Sequence, residues 1–208
     1  MKQFDAAYID KELGEIGARV RKPIKVYLIG GCAMSFRKLK ESTKDIDIVF
    51  RNSADCAIFS DALFGAQYWL PFEVKDEHER LGTVKMYENR DGFHLDLFMK
   101  RVCRKMELSK GMAERAEPYK KYGKMEIYLV SKEDIFLFKS LASEGRKRDL
   151  ADMQVLYPGL DWAAMKKELF SQRLSADLIG HVGRRLEEFR RVYDLDVPLL
   201  KELKKKPR

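Results

Sequence analysis

The chain of 208 residues is long enough for one large domain or two small ones, and it can bury a hydrophobic core. Its hydrophobic fraction of 45% is ordinary for a globular protein, and no apolar run approaches the ~20 residues of a membrane span. The formal charge of +8 favours a polyanionic partner such as a nucleotide or a nucleic acid, although a basic protein without such a partner fits the same value.

The cysteines and histidines argue against two classes of site. Cys32, Cys56 and Cys103 are odd in number and lack the spacing of metal ligands, and the 3 histidines are scattered along the chain. A zinc site and a disulfide framework are therefore not expected. Because the N-terminus also lacks the apolar region of a signal peptide, we expect a cytoplasmic protein with no membrane partner.

In chain order, hydrophobic periodicity and capping residues predict strands and helices in alternation, followed by helices alone. Strands are predicted at 25–29, 45–50, 67–75, 83–87, 93–99 and 125–130. Helices are predicted at 4–21, 53–66, 135–144, 147–157, 161–170, 175–193 and 197–205, with a further short helix after the Gly30-Gly31 turn.

Local signals set several of these boundaries. Asn52 or Ser53 is placed to cap the helix predicted at 53–66. Ser131 is followed three residues later by an acid, which is the form of a capping box. Asp91-Gly92 is typical of a hairpin turn. The polar stretch 75–80 is expected to be a loop or hairpin, and the basic stretch 100–123 to be mobile or partly helical.

The order of elements predicts an α+β fold, with a mixed β-sheet flanked by helices and then a C-terminal helical part. We place the sheet-containing core at residues 1–130 and the helical region at 131–208. No linker composition marks this boundary. The helical region is therefore expected to pack on the core.

Two acids at the start of one strand are the strongest functional signal. Side chains alternate along a strand, so Asp45 and Asp47 point to the same face. Two carboxylates on one face stay ionised together only if a cation lies between them, and Mg²⁺ prefers such oxygen ligands. Upstream, Gly30-Gly31 can offer backbone N–H groups to a phosphate. The pattern predicts a site for a metal-bound nucleotide.

Asp96 is the candidate for a third carboxylate. It is embedded in the apolar run 93–98, where burying an unpaired acid would be costly. If its strand lies beside that of Asp45 and Asp47, three acids converge, and two metal ions ~3.5–4 Å apart could clamp an in-line displacement at phosphorus. A structural ion pair or an outward-facing acid would fit Asp96 as well.

These motifs resemble a known superfamily. Leu28-Ile29-Gly30-Gly31, Thr43-Lys44-Asp45-Ile46-Asp47-Ile48 and Leu95-Asp96-Leu97 are similar to the nucleotidyltransferases of DNA polymerase β type. The stretch 133–152 is similar to the minimal and AbiEii-type members, which include toxins of toxin–antitoxin pairs. The resemblance implies a nucleotidyltransferase-type sheet and an enzyme that moves a nucleoside monophosphate from an NTP to an acceptor hydroxyl.

The resemblance also implies roles for individual residues. Asp45, Asp47 and Asp96 would be catalytic and hold Mg²⁺ or Mn²⁺, with Asp96 helping to deprotonate the acceptor, and Gly30 and Gly31 would bracket the triphosphate. Many members have Gly-Ser where this chain has Gly-Gly, so a hydroxyl that touches a phosphate is missing. Its loss puts the triphosphate contacts in question more than the metal site.

Basic residues extend the candidate nucleotide site. Lys139 lies in an otherwise apolar helix and could neutralise a phosphate or sit at the helix edge, and Arg37 could face the nucleotide or solvent. Asp149 and Asp152 share a helix face beside basic residues, which leaves their roles open. The basic residues of 100–124, with Tyr119 and Tyr122, could contact RNA or form a solvated face.

Several alternatives remain at this point. A haloacid-dehalogenase-type phosphohydrolase also uses an Asp-x-Asp motif, but there the apolar strand precedes the first acid, whereas here it follows Asp45. A non-catalytic nucleotide- or RNA-binding protein is the other rival. The acceptor could be tRNA or another RNA, a protein side chain or a small molecule, and a toxin would have a cognate antitoxin.

Overall fold

A mixed β-sheet positions the candidate site. The computed structural model describes residues 2–70, 85–141 and 146–205. Its strands are β1 (Phe4–Asp5), β2 (Ile24–Ile29), β3 (Ser42–Thr43), β4 (Asp45–Phe50), β5 (Lys85–Glu88), β6 (His94–Met99), β7 (Arg101–Val102), β8 (Met106–Glu107), β9 (Glu117–Tyr122) and β10 (Met125–Leu129). Its helices are α1 (Ala6–Gly17), α2 (Gly30–Phe36), α3 (Ser53–Gly65), α4 (Lys110–Arg115), α5 (Lys132–Ser140), α6 (Lys147–Leu156), α7 (Trp162–Ser171), α8 (Ala176–Tyr193) and α9 (Pro198–Lys205).

The acidic strand β4 lies inside the main sheet. In the described residues this sheet has six strands in the order β5-β6-β4-β2-β10-β9. β4 pairs parallel with β6 and antiparallel with β2, and β2 pairs parallel with β10. The outer strands β5 and β9 run antiparallel to their neighbours. The predicted fold class, a mixed sheet flanked by helices and followed by helices, is confirmed.

Two of the predicted caps are present. The Asn52 side chain accepts a hydrogen bond from the backbone N–H of Asp55 and so begins α3. Ser131 does the same for α5, accepting from the backbone N–H of Asp134. Both caps satisfy donors that the first turn of a helix leaves unpaired, which explains why each helix begins where it does.

The start of the chain differs from the prediction of one helix over 4–21. Phe4 and Asp5 pair with the short strand β3, and α1 begins at Ala6 with Asp5 as its cap. The predicted loop at 75–80, most of the strand at 67–75 and the end of the helix at 135–144 lie outside the described residues. Within 67–70, Trp69 forms an isolated bridge with Glu88.

The segment 100–123 was expected to be mobile or partly helical, and it is partly helical, although most of its regular structure is β-strand. The chain there forms the hairpin β7–β8, the short helix α4 and the edge strand β9. Val102, Met106, Leu108 and Met112 are buried and fix this segment to the core. Elements of two to six residues carry too few apolar positions to show a helical or strand period. In this basic stretch the sequence pattern therefore does not reveal them.

The hydrophobic core continues across residue 130. On α5, the ring of Phe136 makes edge contacts with Trp162 of α7 and Phe189 of α8, and it belongs to the same buried cluster as Val26 and Ile48 of the sheet. The helices after β10 therefore share a core with the sheet. The division into 1–130 and 131–208 stays a prediction.

A buried charged cluster ties three helices together. One guanidinium nitrogen of Arg115 on α4 lies 2.8 Å from Asp134 of α5 and 2.7 Å from Glu168 of α7. Burial alone would raise the pKa of Glu168, but hydrogen bonds from Arg115, Ser109 and Gln172 hold this pKa below its usual value. The cluster stabilises the contact between the segment after β8 and the C-terminal helices.

None of the helices in the described ranges combines the length and the apolar character needed to cross a membrane.

We predict that Glu168→Gln lowers the free energy of unfolding by about 1–3 kcal/mol at pH 7, because a charge-assisted bond to a buried partner is lost. A carboxyl whose pKa is depressed by folding contributes stability above its unfolded pKa and loses that contribution as the pH falls through the folded value. The difference between wild type and variant should therefore shrink below about pH 4.3, as urea unfolding at several pH values would show. The control Glu187→Gln removes an exposed pair with Arg190 and should cost much less, because solvent screens that pair; equal losses would contradict the interpretation.

Candidate active site

The strand register brings the three predicted acids together. Asp47 of β4 is the Cα partner of Asp96 on β6, and Asp45 lies two residues along on the same face. Ile46 and Ile48 alternate with them and are fully buried in the core. All three acids line one cavity of about 420 Å³ between the sheet and helices α5 and α6. The predicted convergence of the acids is thus present.

The glycine turn is packed against these acids. Gly30 has φ +61, and a Cβ at this position would overlap with the Asp47 carboxylate. A Cβ on Gly31 would lie 2.6 Å from Oγ1 of Thr43. Both positions therefore require glycine, because the turn packs directly against Asp47 of β4 and against Thr43 just before that strand. Gly30 also adopts a left-handed backbone conformation. Both glycines line the cavity.

Burial and mutual repulsion dominate the electrostatics of the acids. Burial raises the pKa of Asp47 well above its usual range, and the neighbouring Asp45 and Asp96 raise it further. Burial and Asp96 likewise raise the pKa of Asp45. Lys139 opposes both shifts but does not cancel them. The site accumulates more negative charge than the protein neutralises, which is the condition for attracting a cation.

Two lysines line the same cavity as the acids, Lys139 on α5 and Lys40 in the loop after α2. Lys139 Nζ lies 3.1 Å from Asp149 and 2.7 Å from Asp152, and Lys40 Nζ lies 2.9 Å from Asp152. Burial alone would lower the pKa of Lys139, but its two carboxylate partners hold the pKa above the usual value. The Lys40 ammonium also lies 3.7 Å from the Cβ position of Gly31. Both lysines are thus held by carboxylates in the cavity, and Lys40 lies next to the glycine turn.

Arg37 lies elsewhere. Its guanidinium donates to the backbone oxygens of Leu129 and Ala33 and lies 3.3 Å from Glu117, and it is not among the described residues that line the cavity. The helix after the turn points this side chain towards β9 and β10. The structure therefore gives no support for the predicted nucleotide contact of Arg37, whereas Lys139 lines the cavity.

Sequence reasoning missed part of the site. Lys40 follows α2 in a polar loop with no periodicity to mark it, and His94 lines the cavity beside Asp45. Asp149 and Asp152, whose roles the sequence left open, prove to be the anchors of Lys139. The only signal for this pairing was that both acids share a helix face beside a lysine-bearing helix.

The donor set fits a divalent cation. Carboxylate oxygens are the ligands that Mg²⁺ and Mn²⁺ prefer, and the partly buried Asp45 and Asp47 and the buried Asp96 offer them from one face. Across the described residues, however, no three His, Cys, Asp or Glu side chains stand in ready-made metal-ligand geometry. A cation would therefore have to draw these carboxylates closer together. Cys32, Cys56 and Cys103 are buried free thiols.

Comparison with known proteins agrees with this site. A family model described as "Nucleotidyltransferase of unknown function (DUF6036)" matches residues 7–193. The chain belongs to this nucleotidyltransferase family. The family model spans the glycine turn, the three acids and both lysines, so the resemblance seen in the short motifs extends over most of the chain.

Solved structures show only distant likeness. An antigenic nucleotidyltransferase-like protein from Paracoccidioides brasiliensis is 16% identical, with 88% of this chain and 85% of that chain covered and a TM-score of 0.47. JHP933 from Helicobacter pylori is 14% identical, with 93% and 81% covered and a TM-score of 0.44. No curated protein sequence matches the chain.

We predict that Gly30→Ala destabilises the protein by more than Gly92→Ala. Both residues have positive φ (+61 and +74), which costs a side chain about 1–2 kcal/mol. At Gly92 the nearest atom to a new Cβ is 3.6 Å away, whereas at Gly30 the new Cβ would collide with Asp47. The difference between the two variants in the free energy of unfolding, measured in urea, gives the cost of the collision alone. Equal losses of stability would show that the turn does not pack tightly against the acidic strand.

Proposed function

We propose that the protein is a Mg²⁺- or Mn²⁺-dependent nucleotidyltransferase that moves a nucleoside monophosphate from an NTP to an acceptor hydroxyl. The observation that carries the proposal is one cavity lined both by an acidic wall, the three carboxylates, and by a basic wall, the ammonium groups of Lys40 and Lys139 that Asp152 holds. A metal-bound triphosphate needs both walls, because the cation takes carboxylate ligands while the remaining phosphate charge takes lysines.

Each wall has a defined part in this proposal. Asp45, Asp47 and Asp96 hold the metal, which when bound neutralises charge at the transferred phosphoryl group. The acceptor oxygen attacks the α-phosphorus, the bond from this phosphorus to the bridging oxygen breaks, and pyrophosphate leaves. Asp96 accepts the proton of the acceptor hydroxyl. Gly30 and Gly31 leave the backbone of the turn accessible to the triphosphate.

Lys40 and Lys139 receive the triphosphate. Asp152 binds both lysines and so keeps them about where the phosphates would arrive. Because these ion pairs lie inside the cavity, phosphate oxygens can replace or share the carboxylate contacts of the lysines while α5 and α6 stay in place. Asp149 and Arg146, which lie 3.1 Å apart, complete this wall of charges.

The net charge of the chain bears on the identity of the acceptor. The net charge of +8 supports tRNA or another RNA over a protein side chain. The AbiEii-type resemblance extends the proposal to a toxin with a cognate antitoxin, acting in the cytoplasm. An adjacent gene for a small protein that binds this chain and blocks its activity would support that extension.

The experiment that tests the transferase proposal uses α-³²P-labelled NTPs, Mg²⁺ or Mn²⁺ and total RNA. Wild type should label an acceptor and release pyrophosphate, whereas Asp47→Asn should lose at least about 100-fold in rate because its metal is no longer held. Without added metal, Asp47→Asn should unfold at a temperature equal to or above that of wild type, since a buried repulsion is relieved. Mn²⁺ should raise the melting temperature of wild type only. NTP binding without turnover in the wild type would instead indicate a binding protein.

Lys40→Met and Lys139→Met should each weaken NTP binding about tenfold, which corresponds to the ~1.4 kcal/mol expected of one charge-assisted contact. The control is Lys38→Met, a lysine two residues from Lys40 that is exposed. Titration of the protein with a non-hydrolysable NTP analogue measures these affinities. If Lys38→Met weakens binding as much as Lys40→Met, net charge and not the cavity wall determines affinity.

A further inference from the structure

A second cavity of about 550 Å³ lies on the other side of the β7–β8 hairpin. Its lining carries four basic side chains against two acidic ones, Glu107 and Asp177. The basic residues are Arg101, Arg104, Lys105 and Arg173.

The hairpin forms the wall between this cavity and the candidate active site. Val102 and Cys103 line the first cavity, whereas Arg101, Arg104 and Lys105 line the second. The two cavities are thus separated by the thickness of one short hairpin. A chain-like ligand held in the second cavity would have to pass an edge of this hairpin for its end to enter the first cavity.

The hairpin turn is held in a costly conformation. Cys103 and Arg104 both have φ +55, and the N–H of Lys105 donates to the carbonyl of Val102 at 3.0 Å. Two successive residues with positive φ are typical of a type I′ turn, which normally uses Asn-Gly. With Cys-Arg the turn costs about 1–2 kcal/mol per residue. This geometry projects the charge of Arg104 into the second cavity while the Cys103 side chain stays buried.

The opposite wall fixes the hairpin in place. The amide of Gln172, at the end of α7, donates to the Glu107 carbonyl at 2.9 Å and accepts from the Glu107 N–H at 3.1 Å. Lys105 donates to the carbonyl of Leu141 at 2.7 Å. Arg173 follows Gln172 with φ +50. The backbone that carries the basic residues is therefore fixed on both sides of the cavity, while Arg101, Arg104 and Arg173 themselves are exposed.

We propose that this second cavity binds the sugar–phosphate backbone of a nucleic-acid strand whose terminal hydroxyl is the acceptor. The proposal rests on the proposed transferase function, since it gives the second cavity the other substrate. None of the described residues that line it is Phe, Tyr or Trp, and the ring of its one histidine, His181, lies against the carbonyl of Leu141. Binding should therefore come from phosphate contacts, with little base stacking, weak sequence preference and a steep dependence on salt.

The test is fluorescence anisotropy with a labelled 12-nucleotide oligouridylate, in EDTA and without NTP. The variant Arg101→Glu/Arg104→Glu/Arg173→Glu should bind at least tenfold more weakly, and the slope of log K against log salt should fall by about 2 for three lost single-strand contacts. The corresponding triple lysine variant should keep most of the affinity. The charge-matched control Lys11→Glu/Arg21→Glu/Lys22→Glu alters exposed residues in and after α1 and should remain within about twofold of wild type.

Three outcomes would overturn the proposal: equal losses in the glutamate variant and its control, no loss in either, or competition by a polyglutamate peptide that exceeds competition by RNA. The last would indicate an acidic protein partner. Parallel titration with a non-hydrolysable NTP analogue and Mn²⁺ separates this proposal from the transferase proposal. If NTP binds but RNA binding does not depend on the three arginines, only the second cavity loses its proposed role. If RNA binding depends on the arginines but NTP does not bind, the transferase proposal fails.

Discussion

Repulsion among three carboxylates that line one cavity is the constraint on which the site depends. Asp47 and Asp96 are register partners on adjacent parallel strands, and Asp45 shares their face. Two unit charges 4 Å apart repel by about 4 kcal/mol at an effective dielectric constant of 20, so such a group is a cost to the fold. A cost of this size at one cavity is typical of sites shaped by function and not by stability.

The rest of the cavity is arranged around that negative charge. Gly30 leaves room for the Asp47 carboxylate, and α5 and α6 carry Lys139, Asp149 and Asp152 to the opposite wall. Asp152 separates the two ammonium groups of Lys40 and Lys139, which would otherwise repel each other. Because these helices pack on both the sheet and the C-terminal helices, the shared core that includes Phe136 fixes the distance between the walls.

Much of the fold and of the acidic wall could be predicted from the sequence, because both follow from short-range rules. Alternation along β4 placed Asp45 and Asp47 on one face, and the capping residues Asn52 and Ser131 marked the starts of α3 and α5. The pairing of β4 with β6 places Asp96 beside the other two acids. The sequence analysis could state this pairing only as a condition for the site and could not predict it. Strand order is set by long-range packing, and no single-sequence pattern encodes it.

The basic wall and the second cavity could not be predicted for the same reason. Lys40 and Asp152 are 112 positions apart and meet only because α6 folds back over the sheet. The sequence favoured Arg37 as the basic residue of this segment that faces the nucleotide, yet the turn of α2 directs it to the carbonyl of Leu129. The hairpin β7–β8 was hidden in a basic stretch, since two-residue strands show no alternation.

The most direct test of the central claim is the position of a bound cation. Crystals grown with Mn²⁺ and a non-hydrolysable NTP analogue can be measured for anomalous scattering of the metal. The account predicts Mn²⁺ bound by Asp45, Asp47 and Asp96, with the triphosphate directed towards Lys40 and Lys139. Mn²⁺ bound away from these carboxylates, or a nucleotide bound outside the cavity, would contradict it.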